Sequence, residues 1–553
     1  YVVIKKTDCS LNYGDAYGLN LVYSGNHMEL AEVSFTGKTR ILNGINPHGF
    51  KWTLDVGETF YTPEATLCFS ALGTNGLTQN YHYFVNNHIV RGEWQNKPRP
   101  ILANNWEATS FNFTEKKILD IAKASKALGI ELFVLDDGWF GKRTDDTKGL
   151  GDWEVNKSRL PHGIDGLANK INSMGMSFGL WVEPEMVNSN SDLYRAHPDW
   201  AVVHPDYKPC LGRNQLLLDL TNTDVQNYII DSMTKVFSYG NISYIKWDYN
   251  RNMSDYYSAT LGDRQGEFFH RYMLGFYRVV NTLVTRFPKI LFESCASGGN
   301  RVDLGLLCYM PQFWASDNTD AHDRVLIQEG TLTCYPQSTI GSHVSASPNM
   351  QTLRNSFIEN RFNTASIGLL GYELDLTELN KVDSNAVSEQ IKFYKKYRDT
   401  LQYGTYYRIK SIFADNHGSY IIVNKDKSQA VAFLFNNVAE TVPPADILRT
   451  VGLDNEAMYR FETREQVFNI KVFGNLINYV LPIKIKDEGF LQEVLNNNIA
   501  MKCEVQKYCV SGQLLNNAGV KLDMAYNSTG YSKDIRIMGD FGSRIYMIDR
   551  IDK

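Results

Sequence analysis

The sequence contains no run of eighteen apolar residues, so no membrane-spanning helix is expected from it. It also lacks a Cys-x-x-Cys pair and any dense cysteine framework. Its eight cysteines (Cys9, Cys68, Cys210, Cys295, Cys308, Cys334, Cys503 and Cys509) are scattered along the chain. That usage points to mostly reduced, buried thiols of a cytoplasmic protein, not to structural zinc or a disulfide scaffold. Neither sign of charge dominates: 56 Lys and Arg against 61 Asp and Glu leave −5, with no basic surplus to attract nucleic acid. Tryptophan stops at Trp314, and seven of the nine lie between Trp106 and Trp314. The middle of the chain is therefore where aromatic-lined clefts are expected, and the flat apolar face of a sugar is one natural ligand for them.

What is present divides into three parts. The 553 residues are too many for one core. Residues 1–97 alternate like sheet, as in Tyr17–Ser24, Lys51–Asp55 and Thr62–Phe69. Gly37-Lys-Thr39 hints at a phosphate loop, but Glu32 stands where the earlier glycine is needed. The chain starts at Tyr1 rather than Met, so its native start is expected upstream, where a secretion leader could also lie. After the Pro-containing linker Asn96–Pro100, residues 98–400 alternate short apolar strands with longer helical stretches. Strands are expected at 101–103, 131–136, 177–183, 242–248, 289–293 and 312–317, with the last two near Thr333 and Ile367. Helices are expected over 115–128, 165–174, 223–238 and 268–285. Eight such units in this length predict a (β/α)8 TIM barrel. Residues 401–553 return to strand-like alternation, including Gly418–Val423, Ala430–Phe435, a strand from Ile535 and Arg544–Ile548. A C-terminal antiparallel β-sandwich is expected there, opposite a β-sandwich-like N-terminal domain.

The chemistry collects at strand ends. The fourth strand closes on Lys246-Trp-Asp248, with Asn250 and Arg251 close behind. The first ends at Asn104-Asn-Trp106-Glu107, the second at Asp136-Asp137 and the third at Trp181-Val-Glu183-Pro-Glu185. The fifth ends at Glu293-Ser-Cys295 and the sixth at Ser316-Asp317. Taken singly, Cys295 reads as a buried thiol, Trp314 as core and Asp136-Asp137 as a helix cap. In a barrel, however, all these ends converge on the face where catalysis is done. Carboxylates and Trp abound there, and no His-x-His is present, which argues against a metal-dependent hydrolase. Glycosidic cleavage, which needs two carboxyl groups and no cofactor or metal, fits better.

The motifs Asn105-Trp-Glu-Ala-Thr109, Leu135-Asp-Asp-Gly-Trp-Phe140, Leu150-Gly-Asp-Trp153, Gly179-Leu-Trp-Val-Glu-Pro-Glu-Met186, Lys246-Trp-Asp248 and Ser316-Asp-Asn-Thr-Asp320 resemble glycoside hydrolase family 36, the bacterial α-galactosidases. His197-Pro-Asp-Trp200, Gly212-Arg-Asn-Gln215, Ser342-His-Val-Ser345 and Met538-Gly-Asp-Phe541 fit the same pattern. The resemblance implies a retaining exo-α-galactosidase acting on oligosaccharides or glycoconjugates. Asp248 would be the nucleophile and Asp317 the acid/base, with their carboxyls roughly 5 Å apart. The charge on Asp248 would favour the proton Asp317 needs, and its loss in the glycosyl-enzyme would then release that proton. Asp136 and Asp137 would take the 4- and 6-hydroxyls. Lys246 and Arg213 would donate to neighbouring hydroxyls and keep Asp248 ionised. Trp181 and Trp314 would wall the pocket, Cys295 and Gly298 would sit beside the 2-hydroxyl, and Arg301 near the acid/base. Glu183 and Glu185 read as supporting. A homo-oligomer, dimer or tetramer, is expected, with no nucleic-acid or membrane partner. The N-terminal domain reads as shorter than the family's, and 483–508 as an insertion without a place. An α-N-acetylgalactosaminidase, a galactosyl-transferring enzyme and a non-catalytic galactoside-binding barrel stay open as alternatives.

Overall fold

The computed structural model describes residues 1–440, 446–470, 478, 483–486, 489–522 and 539–551. Eight strands close a barrel: β1 (Leu102–Asn104), β2 (Leu132–Leu135), β3 (Ser177–Val182), β4 (Ile242–Trp247), β5 (Leu291–Ser294), β6 (Gln312–Trp314), β7 (Ile340–Ser345) and β8 (Leu369–Glu373). They follow one another round the barrel in chain order, which is the TIM-barrel arrangement. Continuous apolar runs explain the well-predicted strands: Leu132-Phe-Val-Leu135 is buried along its whole length. The helices between them are amphipathic. Glu115–Leu128 stops at Gly129, whose φ of 99° a side-chain-bearing residue would resist. Thr223–Phe237 is capped by the Asn222 side chain and buries Val225, Ile229, Ile230, Met233, Val236 and Phe237. Each such side chain contributes about 1.5–3 kcal/mol of gross burial.

The seventh strand is the one the apolar pattern misplaces. Thr333 follows the helix Ala321–Thr331, and the strand comes later, at Ile340–Ser345. Its buried residues include Ser342, which donates to Gln328 Oε1 at 2.8 Å, and His343, 2.8 Å from Glu373. A strand satisfied by internal hydrogen bonds carries no hydrophobic signature.

Two compact units are formed, one of Tyr1–Lys97, Asn104–Lys123 and Glu131–Asp317, the other of Pro98–Ala103, Ala124–Ile130 and Asn318–Lys553. The N-terminal part of the first is mostly sheet. Val2–Lys5, Ala16–Val22 and Glu64–Ser70 pair antiparallel, and His27–Val33 forms a hairpin with Thr39–Ile45. Two expectations fail there. Gly73–Phe84 is a helix, and Lys51–Asp55 is not a strand. The backbone of the latter bonds elsewhere: Lys51 N to Gly266 O at 3.0 Å and Thr53 N to Glu267 Oε1 at 2.9 Å.

The C-terminal part is also mostly sheet. Its six antiparallel strands run in the order Thr405–Lys410, His417–Val423, Gln429–Asn436, Ser543–Arg550, Met458–Thr463 and Lys507–Ser511. Ile421, Leu434, Phe461, Tyr546 and Ile548 anchor its core. Shorter two-stranded pieces, Ile447–Leu448 with Val520–Lys521 and Val467–Asn469 with Ala500–Lys502, accompany it. The segment read as an unplaced insertion supplies the helix Phe490–Asn498, the strand Ala500–Lys502 and the start of the edge strand. The strand expected from Ile535 lies, up to Met538, outside the described residues. All eight cysteines are free thiols. Among the described residues no helix is long and apolar enough to cross a membrane, and no cluster of three or more His, Cys, Asp or Glu could hold a metal.

Candidate active site

Asp248 begins where β4 ends; its N–H donates to Val182 O of β3 at 2.8 Å, extending the ladder by one step. The carboxylate is buried and heavily bonded. Oδ2 accepts the Trp181 indole N–H at 3.0 Å and the Asn250 amide at 2.8 Å, while Oδ1 accepts the Tyr249 backbone N–H at 2.9 Å. Burial alone would push this carboxyl up. The Lys246 charge and the hydrogen bonds from Cys295, Asn250 and Trp181 outweigh it and hold the group below the usual carboxylate range. Asp248 is thus built to be ionised.

Lys246 also lies 3.0 Å from Oδ2 of Asp136. That oxygen takes the Asn104 amide at 2.7 Å as well, and the Asp136 backbone N–H donates to Asn105 Oδ1 at 2.8 Å. Asp137 is gripped by Arg143, whose Nε and Nη2 donate to the carboxylate at 2.8–3.1 Å. Burial pushes Asp137 up, opposed chiefly by the Arg143 charge. Asp136 is fixed by residues of strand ends already named, whereas Asp137 is fixed by Arg143, six residues downstream, which gave no sequence signal.

The fifth and sixth strand ends meet at a tight crossing. Gly298 bridges Ser316 antiparallel, and a Cβ on it would stand 2.5 Å from the Asp317 nitrogen and 2.6 Å from Ser316 Cα. With φ at 81° as well, only glycine is comfortable there. Asp317 Oδ1 accepts the indole N–H of buried Trp314 at 3.1 Å. The Cys295 thiol, one residue beyond β5, is pushed far up by burial and by the charges of Asp248 and Asp317 together, so it stays a neutral donor. Two strand-end carboxyls therefore act on one sulfur.

Hydrogen bonds join Asp248 to Trp181, Asn250 and Cys295, an ion pair joins Lys246 to Asp136, and the Lys246 charge acts on Asp248 across the cluster, while the Asp317 charge reaches Cys295. Two expected residues stand differently. Arg301 is committed to Glu185 through Nη1 at 3.1 Å and Nη2 at 2.8 Å, and it packs on the Tyr249 and Phe276 rings. Glu185 also takes the Trp247 indole and the Tyr272 hydroxyl. Arg301 therefore braces the floor under β4. Arg213 is exposed, at a φ of 50°, and its charge acts on Asp137 and Glu183. A further carboxyl, Glu183, is joined to Asp248 through Asn250.

Comparison with known proteins identifies the family. The melibiase family model matches residues 59–404, and those for the N- and C-terminal domains of glycosyl hydrolase family 36 match 1–55 and 417–548. Alpha-galactosidase AgaA of Geobacillus stearothermophilus is 47% identical over 463 residues, covering 84% of this chain and 64% of that protein. Alpha-galactosidase 1 of Pediococcus pentosaceus is 44% identical over 456 residues, 82% of this chain and 62% of that one. The chain thus spans less than two thirds of the length of these curated relatives. The crystal structure of the AgaA enzyme superposes with a TM-score of 0.87 at 42% identity, over 99% of this chain and 69% of that one. That of the alpha-galactosidase from Lactobacillus brevis gives 0.88 at 38%, over 100% and 68%. With all three domain models matched in order along it, this chain belongs to glycoside hydrolase family 36, the melibiase family.

Proposed function

We propose that this chain is the catalytic part of a retaining exo-α-galactosidase that releases terminal α-linked galactose through a covalent galactosyl-Asp248. The observation that carries the reading is the set of donors placed on the buried Asp248 carboxylate, the Trp181 indole at 3.0 Å, the Asn250 amide at 2.8 Å and the Tyr249 backbone N–H at 2.9 Å. Lys246 and three side-chain donors keep it ionised in a buried pocket, where a desolvated carboxylate is a competent nucleophile. Relatives support the substrate class: structures of AgaA variants hold raffinose in one case and stachyose in another.

In the first step Asp317 gives its proton to the glycosidic oxygen as Asp248 attacks the anomeric carbon. The C–O bond to the leaving group breaks, and an ester forms on Asp248. In the second step Asp317 takes a proton from water, the oxygen attacks the same carbon from the opposite face, and the Asp248 carboxylate is released. Two inversions return the original configuration. Asp136, Asp137, Lys246 and Arg213 bind hydroxyls, Trp181 and Trp314 wall the ring, and Cys295 and Gly298 border the 2-position. Arg301 holds Glu185 beneath them. The Cys295-x-x-Gly298-x-x-Arg301 pattern supports a bare 2-hydroxyl over the acetamido group of N-acetylgalactosamine. We place the domains at 1–97, 98–400 and 401–553, and infer that the enzyme works as a homo-oligomer.

The test is Asp248→Ala on p-nitrophenyl α-galactoside, with and without azide. The expected result is near-complete loss of turnover, with azide restoring release as the inverted galactosyl azide. A variant that keeps about a tenth of the rate without azide overturns the assignment.

A further inference from the structure

Glu183 takes no part in the steps above, yet it is a carboxyl of the site fully shut off from solvent. It follows β3 directly and is fully buried. Its Oε1 accepts two short hydrogen bonds, from Gln215 Nε2 and from the backbone N–H of Asn250, both at 2.6 Å. Asn250 passes that position on, since its Nδ2 donates to Asp248 Oδ2 at 2.8 Å and its Oδ1 accepts from Ser297 N and Oγ. Gln215 closes a turn whose two preceding residues, Arg213 and Asn214, both stand in the left-handed region, at φ 50° and 61°. One carboxyl oxygen therefore pins both the Arg213 turn and the amide that steadies the nucleophile. The second oxygen, Oε2, is buried and meets no hydrogen-bond donor among the described residues.

An ionised carboxylate so placed would bury charge on an oxygen with nothing to solvate it. The charged groups facing it are Asp248, Arg143 and Arg213. Arg143 is already matched by the two-pronged grip on Asp137, and the exposed Arg213 is screened by solvent. The side-chain donors and the cation of the pocket, Trp181, Cys295 and Lys246, are gathered on Asp248. Of two adjacent buried carboxyls, the less supported one gives up its charge. Burial, with the Asp248 charge behind it, accordingly pushes Glu183 up to about 8.

We propose that Glu183 is a positioning residue for the nucleophile and works as the neutral acid, with its proton on Oε2. Asp248 is thereby left as the ionised member of the pair. The inference rests on the reading of Asp248 as nucleophile, but its main test needs no turnover. In an infrared titration of the whole chain, a carbonyl band of a protonated buried carboxyl is expected at pH 6.5. It should fade as pH passes about 8 and be missing in Glu183→Gln. Kinetics supply a second measure. Glu183→Gln copies the neutral acid and is expected to keep kcat within about threefold, whereas Glu183→Leu, which loses the acceptor, should drop it about tenfold with KM little changed. No difference in the carbonyl band between the parent protein and Glu183→Gln overturns the proposal, as does a Gln variant as impaired as Leu. Should the Leu variant fail to fold, the band and the Gln variant still decide. Failure of azide rescue in Asp248→Ala, with the band intact, would point instead to the reading of the nucleophile.

Discussion

Trp181 donates its indole N–H to Oδ2 of Asp248 at 3.0 Å. The contact follows from register. In the parallel pairing of β3 and β4, Trp181 stands opposite Lys246 and Val182 opposite Trp247. Asp248, one step further, reaches the rim just where the neighbouring strand presents an N–H. Two adjacent strands thus supply the carboxylate, its cation and one of its donors without help from a loop.

Removing that N–H while keeping an aromatic wall is the sharpest probe of it. Trp181→Phe deletes a donor that favours the charged form of Asp248, so the Asp248 pKa rises and the acid limb of kcat/KM moves to higher pH. A hydrogen bond to a charged group is worth about 1.5–3 kcal/mol, so kcat/KM at neutral pH should fall roughly tenfold or more. A pH–rate profile whose acid limb stays in place would refute the role given to this indole.

Lys246 and Asp136 form a buried ion pair at 3.0 Å. Lys246→Met strands the Asp136 charge, and breaking a buried pair in this way costs about 3–5 kcal/mol. Adding Asp136→Asn removes the stranded charge and should recover much of the stability. Activity should not return, because Asp248 still lacks its cation. Urea denaturation of the parent, both single variants and the double variant gives the coupling. Additive losses would mean the pair carries no interaction of its own.

Much of this site could be read in the sequence, because polar residues that follow an apolar run in a β/α pattern must lie at the same end of a barrel. Asp136, Lys246, Asp248 and Cys295 were found that way, and they do join one cluster. The helix Glu115–Leu128 was read to the residue from its apolar spacing and its terminal glycine. What escaped was structure held by hydrogen bonds rather than by apolar burial. The helix Gly73–Phe84 is two-thirds Gly, Asn, Thr and Tyr and buries Asn75, Thr78 and His82 beside Leu77 and Tyr81, so its apolar spacing is weak. β7 buries Ser342 and His343 against polar partners. The pairing of Arg301 with Glu185 is illegible for a related reason: the two lie 116 positions apart, and spacing carries no trace of it.

Gly298→Ala tests the crossing beside Asp317. The added Cβ would meet backbone atoms at 2.5 and 2.6 Å, in a conformation alanine resists. Neither clash can be relieved by turning a side chain, so the Asp317 backbone must move. A 1 Å misplacement of a catalytic group costs on the order of a hundredfold in rate, and that loss is expected in kcat. Substrate affinity and melting temperature should change less. Unchanged kcat would show that this approach does not set the position of Asp317.

A last prediction concerns stability and lies away from the pocket. His270, on the helix Phe268–Arg286, sits among Tyr23, Phe50, Trp52 and Phe60, and its Nδ1 is 3.0 Å from the Tyr23 hydroxyl. Burial, followed by the Arg271 charge, holds it below the ordinary histidine value near 6.5. The folded chain therefore binds fewer protons here than the unfolded chain does. The stabilisation is complete above the unfolded pKa and is lost as pH falls through about 6.5 toward the lower folded value. Protonation also removes the lone pair that can accept the Tyr23 O–H, so the loss should loosen the segment around Trp52 first. Denaturation midpoints measured between pH 7.5 and about 5 should fall in the parent protein and fall less in His270→Gln, which keeps an acceptor for Tyr23 but cannot ionise. Equal slopes for the two proteins would show that the acid sensitivity originates elsewhere.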